Sequence, residues 1–133
     1  MIAGRTRGRR RALVALALAG TAVAVPASGA GASKHHRARH KTRTVTVNDN
    51  WFGPSKLTIH AGDKVRWRWT QDTFDVHDVD LKKGPKRARK FHSDPLAAGD
   101  TFTQRLKRPG RYKIVCTFHE DMTMTITVRK ALG

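Results

Sequence analysis

The chain has 133 residues, with 27 Lys and Arg against 10 Asp and Glu, seven His and one Cys. That length fits one small domain, and a single Cys excludes both an intramolecular disulfide framework and a multi-cysteine zinc or iron–sulfur site. The formal charge of +17 points towards nucleic acid, yet residues 1–32 hold five of the cations and no acid, which leaves 22 bases against 10 acids, a net +12, in the remainder.

In chain order, Arg5, Arg7, Arg9, Arg10 and Arg11 precede an apolar run of 14 residues, Ala12 to Val25, and small residues follow as far as Ala32. That order is the pattern of a secretory signal peptide over residues 1–32. The apolar run falls short of the roughly 20 residues that span a bilayer. Paired arginines hint at twin-arginine export, although their flanking residues fit that motif poorly. No Cys lies near the cleavage region, which argues against a lipoprotein, and the expected location is periplasmic, cell-envelope or secreted. Residues 33–41, SKHHRARHK, show no apolar periodicity and read as a flexible, basic, His-rich tail. Cleavage after Ala32 would expose Ser33-Lys34-His35, whose amine, two amides and imidazole form a square-planar Cu(II) or Ni(II) site; cleavage after Ala30 would abolish it.

From residue 42 to 130 the chain reads as strands. Val45 and Val47 alternate with Thr44 and Thr46, and Val65, Trp67 and Trp69 with Arg66, Arg68 and Thr70. Phe102, Gln104 and Leu106 continue the alternation, as do Tyr112, Ile114 and Cys116. In the last strand Met122, Met124, Ile126 and Val128 share one face. Turn signals separate the runs at Gly53-Pro54, Ala61-Gly62-Asp63, Gly84-Pro85, Ala98-Gly99-Asp100 and Pro109-Gly110. Short alternating strands with no helical period predict an all-β sandwich or barrel.

Lys82–Lys90, KKGPKRARK, interrupts the pattern with six cations in nine residues and is expected to be a solvated loop. A net +12 on so small a domain speeds encounter with acidic partners. Two readings follow for this loop: docking to an acidic redox partner protein or an anionic envelope surface, or simple solubilisation. Export removes nucleic acid as a partner, and the chain is expected to act as a monomer.

Cys116-Thr117-Phe118-His119-Glu120-Asp121-Met122 spaces a thiol, an imidazole and a thioether by three residues in a loop between two strands. An exported free thiol is open to oxidation, so Cys116 is either an inert core thiol or protected by a metal ion. Thiolate and thioether are soft ligands, and two His, one Cys and a weak axial Met suit a copper ion that cycles between Cu(I) and Cu(II). The second His must come from elsewhere in the chain. His77, ahead of Val79-Asp80-Leu81, is the best placed; His60 follows a strand at a turn, His92 lies in a loop, and His35, His36 and His40 lie in the tail.

These residues resemble the cupredoxins, the blue copper proteins, over about Thr42 to Lys130. Asn48 through Phe52-Gly53-Pro54, Leu57-Thr58-Ile59 and Ala61-Gly62-Asp63-Lys64-Val65 are similar to the opening strands of that family, and Pro109-Gly110-Arg111-Tyr112 to its Greek-key turn with a tyrosine corner. The resemblance implies a Greek-key β-sandwich, a copper ion bound by His77, Cys116, His119 and Met122, and one-electron transfer between redox partners. Met124 is the runner-up axial ligand, on the same inward face as Met122. The chain departs from the family at Glu120 and Asp121, acids beside the usual apolar electron port. It departs again at Asp78, where relatives often have Asn; Asp78 either ties the two ligand loops together or is a plain surface acid. The expected protein is an exported one-electron carrier, not an enzyme, since no open coordination position or acid–base pair is evident. Copper storage or delivery in the envelope is the alternative.

Overall fold

The computed structural model describes residues 39–132. The signal peptide, the first part of the tail and the Ser33-Lys34-His35 site lie outside the described residues. Eight strands follow in order: β1 (Thr42–Asn48), β2 (Trp51–Gly53), β3 (Lys56–His60), β4 (Lys64–Trp69), β5 (Asp80–Lys83), β6 (Thr101–Arg105), β7 (Gly110–Val115) and β8 (Thr123–Arg129). They form two four-stranded sheets of order β2-β1-β4-β6 and β3-β8-β7-β5. Each sheet is mixed, because β1 pairs parallel with β4 and β3 parallel with β8.

Period-two alternation places the inward residues between the sheets. Val45, Val47, Val65, Trp67 and Trp69 from one sheet face Ile114, Met124, Ile126 and Val128 from the other, all at most 3% exposed. Trp67 spans the middle: its ring lies against Phe91 and Phe102, with centroids 6.2 and 5.8 Å away. Its Nε1–H donates to the Met124 sulfur across the core at 3.3 Å, which satisfies a donor whose burial would otherwise cost about 1–3 kcal/mol.

The alternating runs are strands as expected, with three refinements. Phe102 and Gln104 are only half-buried, because β6 is an edge strand that pairs with β4 alone. The basic insertion begins as strand: Lys82 and Lys83 end β5, where a bulge brings Lys83 opposite Lys113. The three-residue β2 follows a two-residue turn in which Asn50 adopts φ 64°, a left-handed conformation that Asn tolerates. Among the turn glycines, Gly110 adopts φ 135° beneath Pro85, and a Cβ there would meet the Pro85 Cβ at 2.7 Å. This contact seats the insertion against the start of β7.

Tyr112 is buried, and its hydroxyl donates to the Arg108 carbonyl at 2.8 Å, closing the connection ahead of β7. Tyr112→Phe leaves that acceptor without its partner, and the expected cost is about 1–2 kcal/mol, read as a lower urea midpoint with an unchanged slope.

Candidate metal centre

Three connections gather at one end of the sandwich: the β1–β2 turn, the segment from β4 to β5 and the β7–β8 loop. Cys116 follows β7 directly, so the inward parity of Tyr112 and Ile114 carries its sulfur towards the core, where the residue is 3% exposed. The loop closes on itself through backbone bonds, Cys116 N–H to the Met122 carbonyl at 2.9 Å and Met122 N–H to the His119 carbonyl at 3.1 Å. This tight closure lets residues three apart converge.

His77 comes from the other connection and is fully buried. Its backbone is held in a two-bond bridge with Leu96, at 3.0 and 2.9 Å. Two residues on, Val79 donates to the Ser93 hydroxyl at 3.0 Å. The Asp78 carboxylate accepts the Thr117 N–H at 2.7 Å and also the Thr117 hydroxyl. Of the two readings left open for Asp78, the one that ties the ligand loops together is therefore correct.

The three candidate ligand atoms face one another. His77 Nδ1 lies 3.1 Å from His119 Nδ1, and the Cys116 sulfur lies 3.8 and 3.6 Å from those two nitrogens. The point equidistant from the corners of that triangle is about 2.0 Å from each, close to the roughly 2.0–2.3 Å that a first-row metal takes from imidazole nitrogen and thiolate. Among the described residues this is the one cluster of His, Cys, Asp or Glu with metal-binding convergence.

The donor chemistry also fits a cation. Asp49, at the β1–β2 turn, accepts from His77 Nε2 at 3.0 Å and from the backbone N–H groups of Phe74 and Asp75, each at 3.1 Å. The hydrogen bond from His77, then those from Asp75 and Phe74, hold the Asp49 carboxyl below the ordinary aspartate range. An ionised carboxylate only accepts, so the ring proton of His77 is assigned to Nε2 and the Nδ1 lone pair is aimed at His119 and Cys116. Carboxylate–histidine–metal relays of this kind raise ligand basicity and fix ring orientation. Burial pushes the Cys116 thiol above its ordinary value, and an unfilled site keeps its proton until a metal displaces it.

The two sulfur candidates differ in their surroundings. Met124 is engaged by Trp67 in the core, whereas Met122 closes the ligand loop. Of the other histidines, His60 ends β3, His92 forms a bridge with Asp80, and His40 lies over Gly62; none belongs to the cluster. Asp49 escapes sequence reasoning because 28 residues separate it from His77. The local signal for it was an Asp-Asn turn after an alternating strand, which predicts a hairpin and no more.

Around the site the charge reverses. Residues 49–50, 70–79 and 116–122 hold Asp49, Asp72, Asp75, Asp78, Glu120 and Asp121 and no Lys or Arg. His119 is partly exposed, with its Nε2 3.9 Å from an Asp75 carboxylate oxygen. Exposed Phe74, Val76 and Phe118 lie in the same two segments.

Residues 19–128 match the family model described as a cupredoxin-like domain. Amicyanin-alpha of Methylorubrum extorquens is 30% identical over 77 residues, 58% of this chain, and the chain spans 63% of the length of that curated relative. Among solved structures, a purple cupredoxin from Nitrosopumilus maritimus superposes with a TM-score of 0.55 at 26% identity, over 65% of this chain and 98% of that one. A copper-containing nitrite reductase from Thermus scotoductus gives 0.58 at 28% identity over 67% of this chain, but only 22% of the reductase is covered. Amicyanin from Paracoccus versutus shares the fold, with a TM-score of 0.57 at 21% identity over 66% of this chain and 81% of that one. Copper is the cofactor of this fold, its soft and borderline donors are those assembled between the two loops, and the chain belongs to the cupredoxin-like family.

Proposed function

We infer that His77, Cys116, His119 and Met122 hold one copper ion and that the protein is a one-electron carrier, exported by way of residues 1–32. The observation that supports this reading best is the convergence of Cys116 Sγ, His77 Nδ1 and His119 Nδ1 within 3.1–3.8 Å of one another. Bound copper supplies a one-electron couple between Cu(I) and Cu(II). The chain keeps its donors in place as the charge changes: Asp49 and Leu96 fix His77, Asp78 fixes the start of the Cys loop, and burial excludes water from three of the four side chains. His119 alone presents an edge to solvent, so it is the route by which the electron leaves. A redox partner meets that edge among Phe118, Phe74 and Val76, and the six nearby acids favour a partner with a basic rim over an acidic one.

Two measurements test the reading. Copper-loaded protein should show an intense visible thiolate-to-copper band that bleaches on reduction and returns on oxidation, with copper retained through many cycles. Transfer of the reduced copper to a chelating acceptor at each cycle would instead favour delivery. In Met122→Leu the band should persist while the reduction potential rises, because loss of a sulfur donor weakens the higher oxidation state. Each tenfold change in the ratio of the two affinities corresponds to about 59 mV for one electron. The same shift in Met124→Leu, with none in Met122→Leu, would reassign the axial ligand.

A further inference from the structure

The outer face of the β3-β8-β7-β5 sheet carries a pattern unrelated to copper. Strand register places Lys56, Thr125, Lys113 and Lys83 in one row across all four strands, with Thr58, Thr127 and Arg111 in the next. At about 4.8 Å between strands, the first row is about 14 Å long. These seven side chains line a surface cavity of about 660 Å³ that contains no carboxylate. Lys83 and Lys113 are direct cross-strand neighbours, a like-charge pairing that costs stability unless a counter-charge is present. Among the described residues none is supplied: their ion pairs are the two His–Asp contacts at the metal end. A second cavity, of about 440 Å³, flanks the other side of the start of β7, and Arg87, Arg89, Arg105, Lys107 and Arg108 line it without an acid.

We propose that this basic track binds a linear polymer of phosphate groups laid across the strands. Nine cations around two neighbouring cavities exceed what a single phosphate neutralises, whereas a chain with a negative charge at every repeat meets them in succession. The hydroxyls of Thr58, Thr125 and Thr127 lie between the cations and donate to phosphate oxygens. Nucleic acid fits less well, because the track offers no exposed aromatic face on which bases stack. The exposed aromatics Trp51, Phe74 and Phe118 all lie in or beside the loops of the metal end. A bilayer fits less well too, since the track is concave and has no exposed apolar anchor.

The test titrates the copper-loaded full chain with long-chain linear inorganic polyphosphate, orthophosphate, a single-stranded oligonucleotide and phosphatidylglycerol vesicles over a range of salt. Polyphosphate should bind most tightly, at least tenfold better than orthophosphate at equal phosphate, with affinity falling steeply as salt rises. The double variant Lys83→Glu/Lys113→Glu should lose at least tenfold in polyphosphate affinity and show a shallower salt dependence, while its visible copper band reports an intact fold. Arg66→Glu, a charge reversal on the exposed side of β4 in the other sheet, is the control and should bind within twofold of the parent. Equal losses in Arg66→Glu and the double variant, no loss in either, or tighter binding of the oligonucleotide or the vesicles would each overturn the proposal.

Discussion

Cys116→Ser should abolish the visible band and lower copper affinity by more than any other single change in the chain. The substitution is nearly isosteric, so the β7 end and its backbone bonds to Met122 are expected to survive. What changes is the donor. A serine hydroxyl is a hard oxygen that does not ionise at neutral pH in a buried position, whereas a thiol deprotonates when a soft metal arrives. The protein should remain folded in far-ultraviolet circular dichroism and unfold cooperatively, while copper titration yields no thiolate-to-metal absorption. A band of parental intensity in Cys116→Ser would remove Cys116 from the ligand set.

Asp49→Ala should weaken copper binding by about 10–100-fold, the range found when a carboxylate behind a ligating histidine is removed. Two effects combine. His77 loses the acceptor that selects its tautomer, and the Phe74 and Asp75 N–H groups lose the carboxylate that fixes their loop. Asp49→Asn separates these effects, since its carbonyl still accepts from Nε2 but carries no charge. The variant should retain most of the affinity and still raise the reduction potential, because a formal negative charge behind the imidazole favours Cu(II) over Cu(I). A residue that served only to brace the loop would change affinity in both variants and leave the potential of Asp49→Asn at the parental value. Potentiometric titration of the three proteins distinguishes the two roles.

The strands and the Cys116–Met122 loop were legible because their information is local. Alternation over five to seven residues specifies a half-buried strand, and a thiol, imidazole and thioether spaced by three need only a tight turn to converge. His77 could be ranked first among the six histidines outside the Cys116–Met122 loop by its place before a strand and by family resemblance. Its 3.8 Å approach to the Cys116 sulfur depends on the pairing of β5 with β7, which no short window encodes. Asp78 stood between two readings until Thr117 was found across from it, 39 residues away. Asp49 was missed for the same reason. Met122 ranks ahead of Met124 by its nearness to the ligand loop, and the hydrogen bond from Trp67 to the Met124 sulfur in the opposite sheet, which supports that order, was not readable from sequence. Net charge misled most: a total of +17 conceals three segments around the site, residues 49–50, 70–79 and 116–122, whose charged side chains are all acidic.

That separation of charge gives the domain an electric dipole, with its negative pole at the end that holds the candidate metal centre. Any negatively charged scaffold would seize it by the flank and repel its tip, so an adsorbed molecule would lie on its side with His119 facing outward. If the protein carries electrons as proposed, capture and exchange would then proceed together, and the held molecule could be visited in turn by reductant and oxidant without ever diffusing away.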